Sequence, residues 1–568
     1  MNKHNLSVIL LSLTLAFCYC AKCETVKITF DPASTGPNIA GIGWNVGPLW
    51  IPNPDPNGSN QHLKEFTQYF LDAKPGWIRL MLSYYEWECK IVNGENPVYE
   101  NDDGDPWTSP KDFLNPATRG FIWNSPAGLD WRIRYVLNIC EKNDIDVQVS
   151  NWETWMKRWL DHEKDADGII AYDQAKLKAD EFGENVAALL YYLKTKANDG
   201  KGYECIKFYS IWNEPGGGYK DQDFISWDYP GYYNMLEKSV HEHLAFYDKE
   251  MGTSVLKALK CIGFESFPRF RNSGYPEKKP QEWNELLGCG VLQYLEQRDA
   301  KPGVITNWPG ADRYLDIISF HDYWGVFDYD ANNPSGHNKG TIADMLIGKQ
   351  IRGISEQIKK YDTDGKYQPV YIGELGSYAY CPELPQAVYE DTLYIAQSSI
   401  RAFTEGVTAI GIWAWNMHSC YAAVSYPGAW WEVEPKGVVH PIPQNYFPLA
   451  LLMQSIPSGA SAIRCSVEGG ADASFKDESW PIVSTQRLWA TAFKHPSGSL
   501  SIVIVNDSYL PKEVGISVRT NNKKWHKRFV SKDSYNSITT SRIDITRSGM
   551  IADTLPARSI VVYKDTAQ

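Results

Sequence analysis

The sequence predicts an α/β fold: a (β/α)8 TIM-type barrel followed by a C-terminal all-β sandwich. Three observations carry this. Eight short apolar runs alternate with amphipathic stretches between about residues 38 and 455. Such alternation favours a closed parallel barrel over an open doubly wound sheet. After Ile456-Pro-Ser-Gly459 the pattern changes to short runs of period two, bounded by turn residues. The chain, at 568 residues, also exceeds one ordinary domain. The expected division is a segment 1–23 that is removed, a barrel over 24–455 and a sandwich over 456–568.

The elements follow in order. Leu6–Phe17 is an apolar run of signal-peptide length behind a basic start, too short to span a membrane. The expectation is therefore an exported protein, secreted, periplasmic or held at the cell surface. Cys18, Cys20 and Cys23 leave a lipid anchor open, although Phe17 before Cys18 suits a lipidation box poorly. Val26–Phe30 is a strand candidate that can join the sandwich.

Barrel strands one and two are Ile39–Asn45 and Trp77–Ser83, with a loop rich in Pro, Asn and Gly between them. A polar insertion, Tyr84–Ala127, follows. A helix presents Leu129, Ile133, Val136, Leu137 and Cys140 on one face. Strand three is Asp146–Asn151, and the next helix aligns Phe182, Val186, Leu189, Leu190 and Leu193. Strand four is Phe208-Tyr-Ser-Ile-Trp-Asn-Glu-Pro215, an apolar run stopped by a proline that cannot continue a ladder, which puts Glu214 at its end. Gly231–Lys249 is helical, strand five is Ala258–Phe264, and another helix covers Trp283–Gln297. Strand six is Leu315–Tyr323, before a helix over Ile342–Lys360. Strand seven, Pro369–Gly376, again ends in a carboxylate, Glu374. A helix over Gln386–Phe403 and strand eight, Val407–Trp415, complete the barrel. Phe447–Ser455 closes it, with Pro448 in its first turn. In the sandwich, Leu488–Phe493 and Leu500–Val505 form a hairpin, and Val514–Val518 and Ser559–Tyr563 are further strands.

Composition narrows the function classes. The net charge of −12 disfavours nucleic acid and anionic membrane surfaces as partners. Aromatics make up 13% of the chain, with 22 Trp, which suits stacking on sugar rings and suits core packing equally. No cysteine pair or Cys/His cluster has zinc spacing, and Asp362-Thr-Asp-Gly365 is half a calcium loop without its later ligands. No cofactor or metal is expected. The sequence also lacks a GxSxG elbow, an HExxH pair and a glycine-rich phosphate loop.

Barrels of this type keep their active sites at the C-terminal ends of the strands. Arg79, Asn151, Asn213, Glu214, His321, Tyr323, Glu374, Trp413 and Trp415 all fall at such ends. Two carboxylates on one rim are what glycoside hydrolysis requires, one as acid and base and one as nucleophile. Read singly, each glutamate is as readily a capping or salt-bridged group. Arg79 alone is a structural ion pair and His321 alone a satisfied core histidine.

The Trp212-Asn-Glu-Pro215 signature, the His-x-Tyr within Ser319-Phe-His-Asp-Tyr-Trp324 and the Gly373-Glu374 strand end together resemble clan A of the glycoside hydrolases. Barrel plus sandwich is similar to families 30, 39, 51 and 79 of that clan, which leaves the sugar open. The resemblance implies a retaining enzyme, with Glu214 as acid/base after strand four and Glu374 as nucleophile after strand seven. Arg79 and Tyr323 would keep Glu374 ionised, and Asn213 would bond the substrate 2-hydroxyl. His321 would orient Glu214 or line the sugar site, with Asn151 as a further sugar contact. Trp413 and Trp415 alternate with Ala414, so both can face the barrel interior, one as the floor of the sugar site and the other as a sugar contact or as core packing. Burial and a second carboxylate about 5 Å away would raise the pKa of Glu214. Glu86, Glu153 and Glu265 are read as substrate-contacting or structural. Cys381 and Cys420, after strands seven and eight, are two free buried thiols or a disulfide that bridges two active-site loops. The alternatives are a transglycosylase using the same residues and an inactive carbohydrate-binding barrel.

Overall fold

The computed structural model describes residues 25–47, 51–52, 60–82, 88–89, 107, 120–121, 130–151, 172–213, 229–266, 313–323, 342–361, 369–376, 385–416, 422–425, 438–471, 486–518, 524–546 and 549–565. The signal segment, Glu86, Glu153, Glu214, the helix expected over 283–297, the 362–365 turn and the Cys381/Cys420 pair lie outside these residues.

The closed parallel barrel expected from the sequence is present. Its strands, in order, are Gly41–Val46, Trp77–Leu82, Asp146–Asn151, Ile206–Ser210, Lys260–Ser266, Ile317–Tyr323, Val370–Gly376 and Val407–Ile412, the last pairing back to the first. Strands buried on both faces read as continuous apolar runs, and Trp77-Ile-Arg-Leu-Met-Leu82 is buried at every position. Side chains still alternate between faces. Trp77 packs inside the barrel with Ile262, Ile317, Tyr371 and Ala409. Ile78 and Leu80 belong to the core that faces the surrounding helices. Arg79, two residues beyond Trp77, therefore points inward, one layer nearer the C-terminal rim. Gly43 makes room for this arrangement: a Cβ there would lie 2.1 Å from the Trp77 carbonyl oxygen.

Several elements differ from the sequence reading. The stretch before strand two holds a helix, Gln61–Ala73, which buries Leu63, Phe66, Phe70 and Ala73. Its 3.6-residue stripe is short and lies behind a run of turn residues. The closing helix begins earlier, at Pro443, which takes the first-turn position, so Pro448 lies inside the helix instead. Strand four leaves the regular ladder after Ser210, although the Asn213 N–H still donates to the Asn151 carbonyl at 3.0 Å. Strand eight ends at Ile412, not Trp415.

The second sheet has nine strands, in the order 534–544, 524–531, 559–565, 500–506, 488–494, 461–468, 26–38, 512–517, 550–555. Val26–Asn38 thus lies well inside the sheet, antiparallel to Ser461–Glu468 and parallel to Lys512–Ser517. The sheet folds over on itself. The Tyr563 hydroxyl donates to Asp553 at 2.6 Å and Lys527 reaches the same carboxylate at 2.6 Å, joining strands near opposite ends of the order. Ile28, Ile502, Ile516, Ile551 and Val561 fill the space between the layers. Val503, Val505, Ile560 and Val562 face the other way and join the barrel core. Helices Pro385–Thr404 and Pro443–Ser455 pack there, where Arg558 pairs with Glu390 and with Asp507.

One buried group outside the barrel interior links the fold to pH. Glu237, on helix Tyr229–Met251, is fully buried against strand five and accepts hydrogen bonds from the Cys261 thiol at 3.0 Å and the Tyr233 hydroxyl at 2.7 Å. Burial, with a smaller contribution from Asp316, raises its carboxyl to about 7 against the opposing hydrogen bonds. A carboxyl raised on folding stabilises below its unfolded range, and that stability is lost as the pH climbs through the folded value. The unfolding free energy is therefore expected to fall by about 3 kcal/mol between pH 5 and pH 9 through this group. Denaturant titrations at both pH values should show the loss, and Glu237→Gln should flatten it. An equal slope in the variant would assign the effect elsewhere.

Candidate active site

Arg79 is the centre of the polar layer inside the barrel and is fully buried. Its Nη1 donates to Glu374 Oε1 at 2.6 Å and to Asn45 Oδ1 at 3.1 Å. Its Nη2 donates to Asn213 Oδ1 at 2.7 Å and lies 3.2 Å from Glu265 Oε2. One guanidinium from the second strand thus gathers side chains from the first, fifth and seventh strands and from the segment after the fourth. A planar fork with fixed donors suits this better than a lysine would.

Each partner is held from below. Asn45 Nδ2 donates to the carbonyls of Gly373 at 3.0 Å and Ile412 at 3.3 Å, which fixes its Oδ1 toward Arg79. Glu374 lies beside His321 in the ladder, and His321 Nδ1 is 3.5 Å from Glu374 Oε2. The other ring nitrogen, Nε2, lies 2.9 Å from Glu265 Oε2, so the imidazole bridges two carboxylates. Glu265 Oε1 accepts from Gln148 Nε2 at 2.6 Å, and Gln148 also donates to Ser210, which donates to Ser150. Burial alone would raise the Glu265 carboxyl. Arg79, the hydrogen bond and charge of His321, and Gln148 together outweigh it and hold the carboxyl below the usual carboxylate range.

Of the nine candidates from the sequence, Glu214 lies outside the described residues. Arg79, Asn213, His321 and Glu374 meet in one hydrogen-bonded cluster. Asn151 is buried at the end of strand three, where its carbonyl anchors Asn213, and the Tyr323 backbone pairs with Gly376. Trp413 follows strand eight, with its N–H on the Leu375 carbonyl, and the Trp413–Ala414 peptide is cis. Trp415 requires a correction. It is fully buried outside the barrel, within 5.3–5.5 Å of Trp44, Phe66 and Phe70. The two-residue alternation that pointed it inward does not hold, because the strand ends at Ile412. Asn45 and Gln148 did not come out of the sequence. Asn45 had a signal, as a polar residue on the inward parity of an otherwise apolar strand, whereas Gln148 lies in a strand that also carries Asp146, Ser150 and Asn151.

Among the described residues no group of three or more His, Cys, Asp and Glu side chains is arranged to hold a metal ion. What the cluster can do is present one carboxylate, Glu374, in a fixed orientation beside an arginine and an imidazole.

No family model matches this sequence, and no curated protein matches it either. Solved structures do match in fold. The catalytic domain of GH30 xylanase C from Talaromyces cellulolyticus is similar over 95% of this chain and 100% of its own, at 15% identity and a TM-score of 0.55. The α-L-arabinofuranosidase from Thermotoga maritima, solved as an arabinose complex, is similar over 95% and 100%, at 16% identity and a TM-score of 0.57. A conserved exported protein from Bacteroides fragilis covers 94% and 99%, at 12% identity and a TM-score of 0.59. At these identities the likeness is one of fold. The neighbours include enzymes of glycoside hydrolase families 30 and 51, two of the four to which the expected barrel-plus-sandwich organisation is similar.

Proposed function

We propose that this protein is an exported, retaining glycoside hydrolase that cleaves β-glycosidic bonds of oligo- or polysaccharides by double displacement. The observation that carries the reading is the clamp on Glu374: a carboxylate at the end of the seventh strand, held at 2.6 Å by a buried arginine. The same guanidinium holds Asn213, the chain neighbour of Glu214. The fold neighbours, a xylanase and an arabinofuranosidase among them, support a carbohydrate substrate.

In this mechanism Glu374 attacks the anomeric carbon while Glu214 gives its proton to the departing oxygen. The carbon–oxygen bond to the leaving sugar breaks as the glycosyl ester forms. Glu214, now ionised, takes a proton from water, whose oxygen displaces Glu374 and regenerates both carboxyl states. Arg79 holds the attacking oxygen in place before the bond forms. The Asn213 Oδ1 is committed to Arg79, so the group it would offer the sugar 2-hydroxyl is the Nδ2 donor. Trp413 floors the sugar site. Arg79 and His321, both fully buried, act on the sugar through Glu374.

The test is a panel of aryl glycosides, including β-xylosides, β-glucosides and α-L-arabinofuranosides, with plant and microbial polysaccharides beside them. Proton NMR of the first product should show the anomer of the substrate. The opposite anomer would overturn double displacement. Binding of oligosaccharide with no product from any member would favour the inactive barrel.

A further inference from the structure

We infer that Glu265 is a positioning residue of this site, a permanent counter-ion that shares Arg79 and His321 with Glu374 and thereby keeps Glu374 free to become neutral. The kinetic consequence rests on the proposed reaction, whereas the sharing of charge does not.

The geometry gives Arg79 two carboxylates, with Glu374 on Nη1 and Glu265 against Nη2. His321 is divided in the same way, Nε2 toward Glu265 and Nδ1 toward Glu374. One carboxylate would suffice to pair a buried guanidinium. A second, fully buried, is costly to desolvate and would serve no purpose as packing, since an apolar side chain would fill the space more cheaply. Two local features nevertheless accommodate it, one at a conformational cost. Glu265 sits at φ +49, a left-handed conformation that a glutamate rarely adopts. On the facing strand, residue 373 is glycine, and a Cβ there would lie 2.2 Å from Glu265 Oε2. The barrel leaves a space for this carboxylate directly beside the residue that carries Glu374.

The reaction supplies the reason. Attack by Glu374 converts an anion into a neutral ester, so the cluster loses one negative charge in the intermediate. If Glu374 were the only partner, that step would strand Arg79 as an uncompensated buried cation. With Glu265 present, the guanidinium keeps a partner throughout and its grip on Glu374 is diluted, so the attacking oxygen stays nucleophilic. Among the described residues the charged or titratable groups facing Glu265 are Arg79 from strand two, His321 from strand six and Glu374 from strand seven; strand three faces it with neutral Gln148.

The test is Glu265→Gln in the full chain, with two readouts. The first needs no substrate: NMR titration of labelled histidines, with the His321 signal identified by its loss in His321→Gln. Removing an anion hydrogen-bonded to the ring should lower the His321 pKa by about one unit or more. The second uses any aryl glycoside that the wild type cleaves. Here kcat/KM should fall on the order of 10²-fold, and its acid limb should move about one unit lower, because Glu374 loses a like-charged neighbour. Glu265→Asp should return the limb toward its wild-type position. If Glu265→Gln does not fold, Gln148→Leu removes a competing neutral donor and leaves the anion in place, so the His321 titration should move upward, opposite to Glu265→Gln and by less. An unmoved His321 titration overturns the inference, and so does a loss of activity with a fixed acid limb. A wild type that cleaves no glycoside overturns the proposed reaction alone, and the histidine titration still decides the charge sharing.

Discussion

Glu374→Ala is expected to abolish turnover on every substrate, by on the order of 10⁴–10⁶-fold, because no covalent intermediate can form. Glu214→Ala should behave differently. General-acid help is worth roughly 10²–10⁴-fold, and mainly where the leaving group needs a proton. A dinitrophenolate leaves unaided, so the first step should survive on that aryl glycoside while natural glycans become inert. The second step still lacks its base, so the glycosyl ester should accumulate, and azide should restore turnover as a glycosyl azide of retained configuration. Mass spectrometry of the enzyme and NMR of the azide distinguish the two variants. Azide rescue of Glu374→Ala with inversion, and none of Glu214→Ala, would reverse the two roles.

Arg558→Met is expected to destabilise the protein by about 3–5 kcal/mol. Arg558 is buried between barrel and sandwich, paired with Glu390 on a barrel helix and with Asp507 after a sandwich strand. Removing the cation leaves two buried carboxylates; among the described residues Asp507 keeps a second partner, Arg487 at 3.1 Å, and Glu390 has no second cation. A cut buried pair costs more than the pair contributed, because desolvation of the survivor is no longer offset. The double variant Arg558→Met with Glu390→Leu should therefore recover part of the loss. Denaturant midpoints decide it, and a single variant within about 0.5 kcal/mol of wild type would place the interface stability in its apolar contacts.

The legibility of this chain follows physical lines. Strands such as Val370–Gly376 are buried on both faces, so their composition announces them. Ser534–Asp544 has no such signature: it is an edge strand with a mixed burial pattern, and its Ser and Thr residues suit a loop equally. The cluster around Arg79 was readable where function sits at strand ends, as with Asn213, His321 and Glu374. Gln148 was not, because the carboxylate it holds, Glu265, lies across the barrel and 117 positions away. Glu265 was visible as a carboxylate, but which groups it would share depends on closure of the sheet. Trp415 shows the opposite failure, since a sound periodicity was extended past the residue where the strand stops.

The placement of Val26–Asn38 makes the second domain discontinuous in the chain. Its parallel partner Lys512–Ser517 and its antiparallel partner Ser461–Glu468 lie far along the sequence, with the whole barrel between. During synthesis at about 5–20 residues per second, this strand waits on the order of a minute for the first of them. Until then its edges are open and its apolar side chains Val26, Ile28 and Phe30 have nowhere to go, which is the situation in which strands mispair with other chains. The barrel can close before then, because its first strand pairs with Trp77–Leu82 and Val407–Ile412, both made earlier. Joining the two ends is then a late step, so that the sheet serves as a clasp on a finished barrel. A fragment beginning at residue 456 would lack an interior strand of its sheet, and fusing residues 25–38 ahead of it should restore what the cut removed.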